Sequence, residues 1–247
     1  MNDRYVAHEE TRGDLKIKII GDTDASNPRE DCDNAGTMVC FHSRYELGDN
    51  KIKQTVYPKA KSASPYPGRA DFSSPEDFEE YAKTAPEMKG ALIIPLFLYD
   101  HSGITIKAGS GFSCPWDSGQ VGWIYATRAT MLREWGNKKS KHLSKKTRDA
   151  ARACLVAETE NYADYLEGNC YGFQVEDEDG EHLDSCWGFL GDPVRDYDNK
   201  CDSYVLQEAR AAADCVIRKR QEAAAEVFNA EYEEAAGRSR KHSLAVL

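Results

Sequence analysis

PLFLYDHSGITIKAGSGFSCPWDSGQVGWIYAT, residues 95–127, is the stretch on which the fold turns. With the four residues before it, it supplies two runs, 91–100 and 120–127, dense in large aliphatic, β-branched and aromatic side chains. Both runs have the length and composition of buried strands. Between them lies a polar segment of turn-forming residues, densest at Cys114-Pro115-Trp116-Asp117-Ser118-Gly119. His101, Cys114 and Asp117 all fall in this stretch, and they are the residue types that move protons and attack carbonyls. A site, catalytic or binding, is expected here.

Outward on the N-terminal side, residues 15–20 (LKIKII) alternate as a half-buried strand does and stop at Gly21. Residues 36–43 read as another strand, 47–50 as a turn, and 58–75 as a loop rich in Pro, Ser, Ala and Lys. Ser74 can cap a short helix to about Lys83, with Pro75 at its first position and Glu76 and Asp77 at its positive end. Residues 1–14 read as frayed.

On the C-terminal side the sequence predicts a short helix over 128–135, a basic linker, and a helix over 145–167 closed by Gly168. Residues 170–175 and 185–190 read as a hairpin whose connection carries Glu176, Asp177, Glu178, Asp179 and Gly180. From 203 to about 236 the chain is alanine- and charge-rich without proline or glycine, which predicts one helix roughly 50 Å long. The expected class is α+β: an antiparallel or mixed sheet of about five to seven strands with helices packed on one side and a long C-terminal helix. One globular domain is expected over 1–202, with the helix and tail at 203–247 free to project or to pair with a second copy.

The net charge of −10 is unevenly spread. Residues 128–152 hold nine Lys or Arg against two acids, and 158–202 hold fourteen Asp or Glu against two bases. The basic block could meet nucleic-acid phosphates; the acidic block could imitate them on a partner protein. Both compositions also suit solvated faces. The longest apolar run, 91–99, is far short of a membrane span and contains Pro95. The first fourteen residues lack a signal-peptide core, so the cytoplasm is the expected location. Eight cysteines show no C-x-x-C spacing, so they read mainly as small buried apolar groups, Cys154 and Cys215 above all.

Three chemistries fit residue types in this pattern. Cys114, His101 and Asp117 supply the nucleophile, base and orienting acid of a hydrolase, although Pro115 removes a backbone N–H that an oxyanion hole often uses. Asp22, Asp24 and Asp33, with Ser26 and Glu30, fall at calcium-loop spacing, but Asn27 stands where that loop needs glycine. Cys40, His42, His101 and Cys114 could form a zinc site if their strands are neighbours. No cofactor is expected: Gly109-Ser110-Gly111 lacks the third glycine and the following helix of a dinucleotide loop. Trp116 and the acids 176–179 are the expected binding residues.

NPREDCDNAGTMVCFHSRYELGD (27–49) and PLFLYDHSGITI with GFSCPWDSGQVGWIYAT (95–127) resemble two blocks of a family of uncharacterised proteins carried by bacteriophages and mobile elements. With the aromatic element at 187–190 the resemblance covers about a third of the chain. Asp31-Cys32-Asp33-Asn34 stands where the family pattern has Trp-Asp-Asn. The family implies no reaction. It implies a viral context, in which small acidic accessory proteins often bind and block host proteins such as defence nucleases.

Overall fold

The computed structural model describes residues 5–49, 72–136, 142–196 and 200–244, with side chains to 233. The chain is α+β, and its contacts group it into two compact units: residues 1–23 with 170–247, and residues 24–169. The sequence reading ran one body over 1–202; contacts instead interrupt the first unit with the second. Each unit holds a four-stranded sheet, and every strand pair is antiparallel.

The discontinuous unit contains β1 (Val6–Arg12), β2 (Leu15–Gly21), β7 (Cys170–Glu176) and β8 (His182–Leu190), in sheet order β1-β2-β7-β8. Residues expected to fray thus form the edge strand β1. Its sequence is polar because it lies at the edge. β2 and β7 pair at Gly21 and Tyr171, and the Asp22 N–H donates to the Cys170 carbonyl at 2.7 Å. The chain therefore leaves this sheet and returns to it at adjacent strand ends, a geometry suited to an inserted domain.

Leu15, Ile17, Ile19, Phe173 and Val175 make one buried face of this sheet. The helix α5 (Tyr204–Leu244) covers it with Val205, Leu206, Ala209 and Ala213. The two alanines, both wholly buried, let the helix axis approach the strands. Past Ile217 the apolar side chains lose this cover: Val227, Phe228 and Tyr232 are all exposed. Where β7 passes β8, Trp187 lies on Gly172; a Cβ there would stand 2.2 Å from the indole, so only glycine fits.

Ion pairs tie α5 to β1. Arg210 grips Glu10 with two hydrogen bonds of 2.7 Å, and Arg12 reaches Asp214 at 2.5 and 2.8 Å. The hydrogen bonds from Arg210 and Arg12 hold the Glu10 and Asp214 carboxyls below their usual range. Both groups therefore release protons more readily folded than unfolded. Their contribution is complete above the ordinary carboxylate pKa and fades as pH falls through their lowered folded values. The Tm of this unit is expected to hold from neutral pH to about 5 and to fall below about 4. Glu10→Gln should flatten that fall, and equal acid slopes for both proteins would refute the assignment.

The inserted unit contains α1 (Pro28–Asp31), β3 (Thr37–Cys40), α2 (Pro75–Thr84), β4 (Leu92–Asp100), β5 (Ile104–Ala108), β6 (Ser118–Ala126), α3 (Arg128–Glu134) and α4 (Lys145–Glu167). Its sheet order is β3-β6-β4-β5. Most of the expected loop at 58–75 lies outside the described residues, as does much of the basic linker. Helix signals worked as read: Ser74 accepts from the Asp77 N–H, and Gly168 closes α4 in the left-handed conformation at φ 78°. Pro95 is tolerated inside β4 because pairing with β5 begins at Leu96, and only the Pro95 carbonyl is used, by the Gly109 N–H.

Helices were expected on one side of a sheet; here they take both. Leu92, Ile94, Leu96, Leu98 and Ile124 face Ala151, Leu155 and Tyr162 of α4. Val39 and Tyr125, on the opposite face, pack with Phe78 of α2, whose ring lies 4.9 Å from that of Trp123. Both faces of β6 are apolar, so both need cover.

One buried cation organises the block at 27–49. Asn27 caps α1 by accepting from the Arg29 N–H, and the Arg29 side chain is 1% exposed. All five of its N–H donors have acceptors. Nε and Nη2 reach Asp49 at 2.9 and 2.8 Å, Nη1 reaches Asn34 and Glu158 at 2.9 Å each, and Nη2 also reaches the Gly36 carbonyl. Glu158 in turn accepts from the Ala35 N–H at 2.8 Å, and Asp49 from the Met38 N–H at 2.8 Å. Burial opposes the charge, but Asp49 and Glu158 outweigh it and hold the guanidinium protonated.

Candidate functional site

The site lies where β4 and β6 run past β3. β3 pairs with β6 only from Gly122 to Tyr125, and the Phe41 N–H extends this by one bond to the Val121 carbonyl at 2.7 Å. Close approach there needs Gly122, since a Cβ would stand 1.9 Å from the Val39 oxygen. Ser118, Gly119 and Gln120 pair with Tyr99, Leu98 and Phe97 of β4 on one side. A bulge between Leu96 and Phe97 adds twist. On the other side, among the described residues, no strand continues β3. Gly119 and Gln120 are exposed.

A cleft of about 370 Å³ opens along this edge, walled by Phe41, His42 and Arg44, floored by 118–121, and closed by Asp100 and Asp117. Trp116 stands at its rim with 92% of its surface exposed. The charged groups are paired among themselves. Arg44 donates to Asp100, which also accepts from the Tyr45 hydroxyl at 3.3 Å. The His42 ring stacks on Tyr45, and its Nδ1 accepts from the Arg44 and Tyr45 N–H groups at 3.2 Å, so the neutral ring carries its proton on Nε2.

The fold gathers His101, Cys114 and Asp117. The Asp100 N–H donates to the Asp117 carbonyl at 2.8 Å, and the Ser118 hydroxyl to the Cys114 carbonyl at 2.5 Å, which closes the 114–118 turn. The Cys114 thiol lies 3.4 Å from Asp117 Oδ2, and His101 Nδ1 lies 3.5 Å from the same oxygen. The carboxylate thus stands between thiol and imidazole, with no hydrogen bond joining these two directly. A Cys–His nucleophile pair has the thiol and the imidazole within hydrogen-bond reach of each other. Here the thiol donates to a carboxylate, and Pro115 follows it with no N–H to offer an oxyanion.

Metal chemistry finds less support. Among the described residues no three His, Cys, Asp or Glu side chains are grouped to hold an ion. Within the loop of Asp22, Asp24 and Asp33, residues Pro28–Asp31 form the helical turn α1. Cys40 is buried in the apolar core under α4, and His42 stacks on Tyr45, so the four-residue Cys/His zinc set is not assembled. The cysteine expectation also shifts: Cys40 and Cys170 are the buried ones, while Cys154 and Cys215 are half-buried. Burial and then Glu158 push the Cys154 thiol up to about 11.

The acidic hairpin is present but partly committed to structure. Glu176 pairs with Lys18 at 2.6 Å. Asp177 Oδ1 accepts from the Asp179 and Glu181 N–H groups, building the turn, and its Oδ2 lies 3.7 Å from Arg220. Glu178 and Asp179 are left facing solvent. In the basic 128–152 block, Arg133 pairs with Glu134 at 2.6 Å and Arg148 donates to the Gly90 carbonyl at 3.3 Å; residues 137–141 lie outside the described residues. Among the described residues no helix is long and apolar enough to cross a membrane. Comparison with protein-family models, curated proteins and solved structures finds no significant match in any of the three.

Proposed function

We propose that this protein acts by binding another protein, and that the Trp116 turn with its adjoining cleft is the recognition surface. The observation that carries this reading is the 92% exposure of Trp116 beside a formed cleft. An indole held in water forgoes a large apolar burial, and tryptophan is the residue type most enriched among those that dominate binding energy. The turn is rigidly built from below by the Asp117–Asp100 and Ser118–Cys114 hydrogen bonds, so little order is lost on docking. In the bacteriophage or mobile-element setting suggested by the two sequence blocks, the partner is a host protein, a defence nuclease being one candidate.

A hydrolase reading with Cys114 and His101 keeps its three groups at one point but gives the thiol the wrong neighbour. The nucleic-acid reading of 128–152 has some of its cations paired within the protein.

The test uses the immobilised chain as bait in host lysate, beside Trp116→Ala and Cys114→Ala. At least one protein should be retained by the wild type and by Cys114→Ala, and its Kd, measured after purification, should rise about tenfold or more with Trp116→Ala. Equal binding by Trp116→Ala would remove this surface. Loss of turnover of a substrate with Cys114→Ala alone would move the site to chemistry.

A further inference from the structure

We propose that the cleft takes an extended, basic peptide segment of the partner, added as a strand to the open edge of β6 beyond the end of β3. This deepens the binding reading above and rests on it.

Three observations meet at this edge. The first is the early end of β3, which leaves Ser118–Gln120 of β6 paired with β4 alone among the described residues, with Gly119 and Gln120 exposed. The Asp100–Asp117 hydrogen bond sets the ladder's phase: Asp117 and Gly119 turn their backbone groups to β4, so Ser118 and Gln120 turn theirs outward. An incoming strand would meet those groups in the direction β3 has already set.

The second is the run of the hollow. A second hollow of about 230 Å³ neighbours the 370 Å³ cleft, shares Phe41, Gln120 and Val121 with its lining, and is also lined by Trp123 and Glu79. Neighbouring hollows beside the open end of β6 suit side chains of an extended chain, which recur on one face every second residue.

The third is charge. Asp100 and Asp117 line the first hollow, and their side chains are 22% and 35% exposed. Arg44, the partner of Asp100, lines the same hollow and is 67% exposed, while His101, the partner of Asp117, is 62% exposed and is not part of the lining. Two carboxylates against one guanidinium leave the lining of the hollow net negative. A Lys or Arg entering beneath Trp116 would meet two carboxylates and an indole face.

The experiment is selection of a phage-displayed random heptapeptide library on the purified full chain, followed by hydrogen exchange of the chain with the selected peptides. The expected peptides carry Lys or Arg, avoid proline at central positions, and slow amide exchange across 118–120. Asp117→Asn should weaken them about tenfold and reduce their salt dependence. Hydrogen exchange without peptide confirms that this variant is folded. Selected peptides that lack a basic residue, peptides that bind without protecting 118–120, or a library that yields no binder would each overturn strand addition. If the lysate partner is still lost with Trp116→Ala under those outcomes, the binding surface stands and only its mode is wrong. If the partner is indifferent to Trp116→Ala, the surface itself falls.

Discussion

Arg29→Ala is expected to lower the stability of the 24–169 unit by about 3–5 kcal/mol, the usual cost of stranding buried charge partners. The guanidinium holds together four pieces of chain: the α1 turn, the Asn34–Gly36 approach to β3, the Asp49 turn, and Glu158 of α4. Removing it leaves two carboxylates, with side chains 22% and 11% exposed, facing each other without their cation. Arg29→Lys should recover only part of the loss, because an ammonium offers three donors where five are used and cannot bind Asp49 through a planar fork. Urea unfolding followed by tryptophan fluorescence measures this, since Trp116, Trp123 and Trp135 lie in that unit and only Trp187 in the other. A loss under about 1 kcal/mol, the range of an exposed ion pair, would show the network to be dispensable.

Ala209→Glu is expected to cost the other unit about 3–5 kcal/mol, because it places an uncompensated charge in an apolar interface. Ala209 is 0% exposed and packs with Leu15, Ile17, Ile19 and Phe173 in one cluster. A larger side chain must also force the helix away from the sheet. Ala224→Glu, on the exposed part of α5, is the matched control and should change stability by less than about 0.5 kcal/mol. The two units should respond separately: circular dichroism should show early loss of structure in Ala209→Glu while the tryptophan signal of the 24–169 unit persists. Coincident loss of both signals would mean that the units unfold as one. A stability equal to that of the control would show that Ala209 does not carry the docking.

Much of this protein was legible in order along the chain. The caps at Ser74 and Gly168, the alternation of 15–20, the β7–β8 hairpin and the long proline-free helix all rest on contacts within a few residues, which the local sequence encodes. The convergence of His101, Cys114 and Asp117 was also legible, because all three lie between the two strands read there, and the antiparallel pairing of those strands brings Asp100 beside Asp117. β5 could have been found from the alternation of Ile104, Ile106 and Ala108 inside a segment read as a polar turn. β1 could not, because VAHEETR carries no apolar period; its strand state depends on β2 beside it and on Arg210 and Asp214 of a helix 200 residues away in sequence.

Tertiary structure alone decided the rest. It split the eight strands of the described residues between two sheets, because pairing β2 with β7 across the whole inserted unit leaves no local trace. It turned Arg29, one charge in an acidic loop, into a fully satisfied buried hub, since its acceptors come from residues as far away as Glu158. It also stopped β3 short and opened the edge of β6. The length of a strand is read from its own residues, but whether its partner runs beside it to the end depends on where another part of the chain turns away.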